Sequence, residues 1–507
     1  MLFLSMTCVS FASIALGQAA QPAPASGASL TVYSSADPSG FDPQQFVAQQ
    51  RDGMDPSFAW QVPGFGVVRE TRTVRLVKGS NSLSFDDVAA FIDPTTVGFA
   101  DLTDPTTSVL GQHFEFDLVS PSKLYARYIG REVRVIPQED PDHLVTGTLL
   151  ASNQGRFVLR GKDGIVVMPE ANSRVELLGD LPGGLLTKPT LVWDLNAQTD
   201  GDHTIRINYQ TAGMTWRADY NLVLDASDTK AAITPWVTLL NVSGASFRDA
   251  QLRLVAGDVQ RVMPQPKRAT MLRGGVAVDA AGAESGFQEE SLLEYHLYTL
   301  PRPTDILRNS SQQLAHFPPV SGVAVTKKLV YMGNASMWGF QSASAITDEG
   351  EFGGANKKVS VFIDLKNDEA SGLGKPLPKG RVRVYKASGD GTLEFVGEDV
   401  IDHTPKNESV RLKLGDSFDV TGERVRTSVK VNGRGREVVE SFSITLKNAK
   451  PIPQEVEVRE SLYRWSNWAI SEETLPYRKL DSRAVAFDVT VPPSGSTRIG
   501  YTVRYTW

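Results

Sequence analysis

Apolar residues recur at every second position through most of this chain, a period that suits a strand and not a helix. Val359, Val361, Ile363 and Leu365 form one such run, Val410, Leu412 and Leu414 another, and Phe442, Ile444 and Leu446 a third. The last run is Ile499, Tyr501, Val503, Tyr505 and Trp507, with Arg498, Thr502, Arg504 and Thr506 among the intervening residues. One apolar and one polar face per strand is the pattern of antiparallel sheets that pack on one side and meet water on the other. Asp163-Gly164, Asp200-Gly201, Asp390-Gly391 and Asn432-Gly433 fall between runs, where tight hairpin turns need residues that tolerate positive φ. No long amphipathic helix is visible, and short helical turns are expected only around Asp86–Phe91 and Glu289–Tyr295. The expected fold class is all-β: antiparallel immunoglobulin-like β-sandwiches with a small inserted barrel of the SH3-like or Sm-like type.

The length of 507 residues sets a prior of about two to four domains. A net charge of −6, with no basic patch in view, argues against a nucleic-acid partner. Leu2–Leu16 is uncharged and mostly apolar, and small residues at Gly17 and Ala19 follow it before a polar stretch rich in Pro, Ala and Ser. That is the layout of a signal peptide with cleavage before Ala20, although a positively charged n-region is missing. A buried N-terminal strand or helix is the competing reading, and the polar stretch that follows at once disfavours it. No other apolar stretch is long enough to span a membrane as a helix. The single cysteine, Cys8, lies inside the signal, and Ser5-Met6-Thr7 does not supply the small residue that lipid attachment needs. The mature chain would then carry no thiol, which excludes disulfides, cysteine catalysis and thiolate metal sites. A large cysteine-free exported chain suits a bacterial envelope, periplasmic or extracellular, where the sequons at Asn241, Asn309, Asn334 and Asn407 have no role.

The segments read as follows: 1–19 the signal peptide, 20–66 an N-terminal extension, and 67–123 the first strands of a sandwich. Residues 124–180 hold the small β-barrel insert, with five short strands between Leu124 and Leu178 marked off by glycine turns. A structural insert is the preferred reading of that unit. Its strands lack the basic and aromatic face that nucleic-acid binding needs. Residues 187–260 form the sandwich core, and 261–294, rich in Gly and Ala and poor in large apolar side chains, form a mobile linker. Bridging strands occupy 295–354 and a C-terminal β-sandwich 355–507. One element recurs: Leu240-Asn241, Lys366-Asn367 and Lys447-Asn448 each end a strand ahead of a loop and another strand. An asparagine there can bond nearby backbone and open a turn, so the copies suggest related strand pairs. Their irregular spacing argues against a repeat array.

The block Tyr209–Asp258 carries the most distinctive residues: Trp216-Arg217-Ala218-Asp219-Tyr220, Asn241-x-Ser243-Gly244, Phe247-x-Asp249-Ala250 and Val255-Ala256-Gly257-Asp258. Gly372-Leu373-Gly374, Pro376-Leu377-Pro378, Asp402-His403-Thr404-Pro405 and Leu414-Gly415-Asp416 extend the pattern, as does Tyr295-x-Leu297 with Leu300-Pro301. Together these motifs resemble the bacterial domain of unknown function 4139 family, which also includes mucoidy-inhibitor-like proteins, over most of residues 60–507. The resemblance implies a β-rich fold and no established reaction, so it transfers no catalytic residue and no cofactor. Many relatives carry a coiled coil ahead of the domain, where this chain has the small inserted unit, so their partners do not transfer either.

The residues themselves offer little chemistry. Gly372-Leu373-Gly374-Lys375 lacks the first glycine of a phosphate loop, and Pro376 stands where that loop needs Ser or Thr. His113, His143, His203, His296, His316 and His403 are scattered, with no metal-ligand spacing. His403, beside Asp402 in a dense polar cluster, could serve as a base, but a turn-capping role is the plainer reading. Asp219, Asp249 and Asp258 are the carboxylates to inspect for a facing pair across a cleft, and turn or strand-end capping is their plain reading. Tyr463, Trp465 and Trp468 could form a sugar-stacking or protein-binding platform or, by alternation, a core stripe. The chain is expected to be a non-enzymatic interaction or scaffold protein that meets protein partners or an envelope component through sheet edges and loops. Polysaccharide binding or processing is the alternative, and a metal-dependent hydrolase a third possibility.

Overall fold

A computed structural model describes residues 27–34, 41–51, 56–115, 120–140, 142–178, 188–257, 259, 288–292, 295–350, 356–434 and 436–507. The expected signal segment, Asp258 and all of the expected linker but 288–292 lie outside these residues. Strands make up 62% and helices 6%, so the chain is all-β at the level of fold class. All four Asx-Gly dipeptides stand at connections between successive strands.

The first packed layers come from both sides of the inserted unit. One sheet runs, in order, through Gln288–Leu292, Tyr295–Thr299, Phe247–Ala256, Ser29–Ser34, Gly64–Leu76, Gly201–Thr211 and Ile92–Asp101. Against it lie Gly79–Asp86, Thr190–Ala197 and Ser108–Glu115. Trp193 is fully buried between the layers, 5.2 Å from the Phe85 ring and 5.5 Å from Phe99. The stretch expected to be an N-terminal extension therefore supplies an inner strand. Ser29–Ser34 pairs in parallel with Phe247–Ala256 and antiparallel with Gly64–Leu76, and Leu30 and Val32 are wholly buried.

The other large sheet contains two successive cores. Tyr220, Leu222, Ile233, Val384 and Leu412 belong to a core continuous with that of the first layers. Tyr331, Val420, Phe442, Val458, Phe487 and Tyr501 fill a separate one. Three long strands, Val320–Tyr331, Lys358–Lys366 and Ser409–Asn432, feed both: Val323, Ile363 and Leu412 go to the former, Leu329, Val359 and Val420 to the latter.

The three asparagines hold equivalent places. Asn241, Asn367 and Asn448 are all buried. Each side-chain amide donates to carbonyls of the loop it opens and of a loop distant in sequence: Ala245 and Leu307, Lys375 and Pro405, Ile452 and Pro492. Leaving a buried amide without acceptors is costly, so one side chain fixes two connections at each site.

Two local expectations fail. Asp86 ends a strand, Asp87 has φ +66, and Val88 and Ala89 tuck into the core as irregular chain rather than a helical turn. Glu289 lies in the strand Gln288–Leu292, paired with Tyr295–Thr299, so the 289–295 turn is a hairpin. Conversely, Pro121–Tyr128 is a helix where the first strand of the insert was expected. Ser120 caps it by accepting from the Lys123 N–H, and Pro121 suits the first turn because it has no N–H to leave unpaired. The insert is a five-stranded antiparallel sheet, ordered Ser173–Leu177, Glu132–Pro137, Val145–Asn153, Arg156–Gly161 and Gly164–Pro169. Among the described residues it does not close into a barrel, because no pairing joins the first and last of these strands. Its own core gathers Tyr128, Val133, Val135, Leu149, Phe157, Leu159 and Met168.

Candidate functional site

The aromatic cluster near the C-terminus is largely interior. The strand Gln454–Ser461 stops before it, so period-two alternation does not extend to Tyr463 and Trp465. Tyr463 is buried, and its hydroxyl lies 3.4 Å from Glu440 Oε1. Burial, then the Glu440 charge, raises its pKa to about 12. Trp465 and Trp468 are half-buried against the last core, and the Trp468 indole N–H donates to the Ser482 carbonyl at 2.7 Å. The three rings therefore share no exposed platform.

What surrounds Tyr463 is a buried ionic network. Glu440 accepts from Arg464 at 2.8 Å and from Arg426 at 3.2 Å. Glu460 accepts from Arg424 at 2.8 Å and from the Tyr501 hydroxyl at 2.5 Å. Glu440, Glu460 and Arg464 are fully buried. Arg464 and Arg426 also donate to the carbonyls of Ile346, Asp348, Glu349 and Gly350, tying the preceding loop to the core. This network is structural in character.

The remaining expected residues divide in the same way. Asp402 and His403 are exposed in irregular chain just after the strand Leu393–Ile401, where His403 Nδ1 accepts from the Lys379 N–H at 3.1 Å. Asp249 has φ +49, and its N–H donates to Asp305. Gly372 ends a single helical turn in a left-handed conformation. His113 and His143 each meet one exposed carboxylate, Glu115 and Asp140. His203 bonds Asp101 at 2.6 Å, and both are buried. Among the described residues no three His, Cys, Asp or Glu side chains converge as a metal site requires.

Asp219 is different. It lies on the outer face of Met214–Leu224, opposite the core-facing Ala218 and Tyr220. Its Oδ2 accepts from Arg217 at 3.1 Å and from Thr238 at 2.6 Å. The strand Gly380–Ala387 runs beside it in parallel, with Asp219 opposite Arg381 and Asn221 opposite Arg383. Gly380 permits that approach, because a Cβ there would sit 2.5 Å from the Ala218 carbonyl oxygen. On the other side, Thr238 is paired with Gln313. The result is a pocket of about 700 Å³ lined by Arg217, Arg381, Arg383, Thr238, Ser311 and Gln313. Residues 41–44, at the start of the helix Pro43–Arg51, form its rim. Arg217 also donates to the Phe41 carbonyl.

The sequence carried half of this signal. Alternation in Trp216–Tyr220 and Arg381–Tyr385 puts the arginines and Asp219 on the polar face. It does not show that two strands some 160 residues apart are parallel neighbours. No protein-family model matches the chain, and no curated protein matches it either.

Proposed function

We propose that this chain is an exported, non-enzymatic interaction protein of the bacterial envelope or extracellular space, which binds a protein partner by accepting one of its strands. The carrying observation is the edge strand Gly164–Pro169 of the five-stranded insert. Ile165 is 65% exposed and Val167 53%, and among the described residues no strand pairs with their outer edge. Natural sheets protect such edges with charge, proline or covering structure, since an apolar edge invites pairing. Along the outer edge, the backbone donors and acceptors not used by Arg156–Gly161 are best satisfied by another extended backbone, and exposed β-branched side chains give it apolar contacts. The motif resemblance to the domain of unknown function 4139 family, with its β-rich fold and no established reaction, supports the same reading, as does the signal-like first segment. The immunoglobulin-like character of the sandwiches and the SH3-like character of the insert belong to this proposal.

Chemical crosslinking on intact cells of the native host tests it. The wild-type chain should capture a discrete protein, and Ile165→Lys with Val167→Lys, both at exposed positions, should abolish capture while the chain stays folded. Capture of glycan only, or equal capture by the charged variant, contradicts it. A crosslinked homodimer would identify the partner as a second copy. The second reading, polysaccharide binding, draws on the polar pocket beside Asp219 rather than on the C-terminal aromatics.

A further inference from the structure

We infer that the arginine-lined pocket on the outer face of the Met214–Leu224 and Gly380–Ala387 strands binds an oxyanion, a carboxylate or phosphate group carried by a small ligand. This goes beyond the strand-accepting role and does not depend on it.

Three guanidinium groups line one cavity, with the hydroxyls of Thr238 and Ser311 and the amide of Gln313 beside them. Among the described residues the lining carries one acidic side chain, Asp42, whose Oδ1 accepts the Gln44 N–H at the helix start, against three guanidinium groups. Two further carboxylates approach from outside the lining. Asp219 lies beneath, 97% buried by side chain, and holds Arg217 by a hydrogen bond. Arg383 stands 3.7 Å from Asp219 and 3.6 Å from Glu398. Those separations give ion pairing without hydrogen bonds, so its planar fork is oriented by charge while its N–H groups are not consumed. Arginine forks match the two oxygens of a carboxylate or phosphate in plane, which a lysine cannot do.

Position supports the assignment. Arg217 and Thr238 are cross-strand partners, and Arg381 and Arg383 are on the next strand, so all four are carried by a rigid sheet rather than by loops. Sites on such elements hold their geometry better than loop-borne sites. A volume of about 700 Å³ is in the range of small-ligand pockets, enough for an acidic monosaccharide or a phosphorylated metabolite. The Ser311 hydroxyl and the Gln313 amide would meet the neutral oxygens of such a ligand, while the Thr238 hydroxyl stays on Asp219.

Isothermal titration of the mature chain with inorganic phosphate, with glucuronate and with neutral glucose tests the assignment. Phosphate or glucuronate should bind and glucose should not. Binding of phosphate alone, or of glucuronate alone, supports the site and tells the two sources apart. Arg383→Gln should weaken the anion about tenfold or more, the loss expected for charge-assisted hydrogen bonds. Gln313→Trp, at an exposed rim position, should block binding with every guanidinium intact. No anion binding to the folded chain, or affinity unchanged in both variants, overturns the assignment.

Discussion

Single residues in this protein do their work mostly by being buried with a charge or a proton balance that the fold enforces. His316 is the clearest case for pH. Its ring is buried 4.9 Å from Tyr298 and 5.1 Å from Phe317. Burial, then the Lys375 charge, pushes its pKa down to about 3. An unfolded histidine titrates near 6.5, so above that pH both states are neutral there. Below it the unfolded chain takes up a proton that the fold refuses, and stability falls by up to about 1.4 kcal/mol per pH unit until pH approaches 3. His316→Phe removes this contribution: urea unfolding at pH 7, 5 and 4 should show wild type losing ground to the variant as pH falls. Parallel pH curves would contradict the assignment. Glu440 is the clearest case for charge. Glu440→Gln strands Arg464 and Arg426 without their counter-ion in the last core and should cost about 3–5 kcal/mol in denaturant unfolding. A loss below about 1 kcal/mol would mean that water reaches the network.

At the scale of elements, the parallel pairing of Met214–Leu224 with Gly380–Ala387 decides the pocket. Gly380→Val should force the strands apart at Ala218, destabilise the chain by about 1–3 kcal/mol and weaken anion binding in the same variant. A valine variant with native stability and native affinity would show that the backbones are not this close. This element also shows what was legible beforehand. Alternation told the polar face of each strand from the apolar one, and the Asx-Gly dipeptides marked the connections, because both are local rules. The Asn241, Asn367 and Asn448 pattern was visible for the same reason, as a short motif at strand ends. Strand order was not, because pairing between distant segments leaves no local trace. Ser29–Ser34 is an inner strand within the expected extension, since six residues of alternating pattern carry little signal. The helix Pro121–Tyr128 falls where a strand from Leu124 is expected, because Leu124, Tyr125 and Tyr128 suit either state and only the Ser-Pro start marks the helix. Nothing local in the sequence tells that Glu440 and Arg464 enclose Tyr463.

The whole molecule combines one strongly connected body with one separate unit. Strands that enter two cores tie those cores together, whereas the five-stranded insert has its own core. Calorimetry should therefore resolve a transition for the insert that Glu440→Gln leaves in place while the main transition falls. A single transition that moves as one would contradict this division. The insert is also where the proposed partner docks, so its independence would let it be presented without loading the rest of the chain. The most direct test is a photoreactive side chain placed at Ile165 or Val167 of the full chain in its native host, with Thr146, in the inner strand Val145–Asn153 of the same sheet, as the control position. Protein adducts are predicted from the two edge positions alone, and only when the other of the two is not replaced by lysine. Equal labelling from Thr146, or no protein adduct from either edge position, would contradict strand acceptance as the way this protein works.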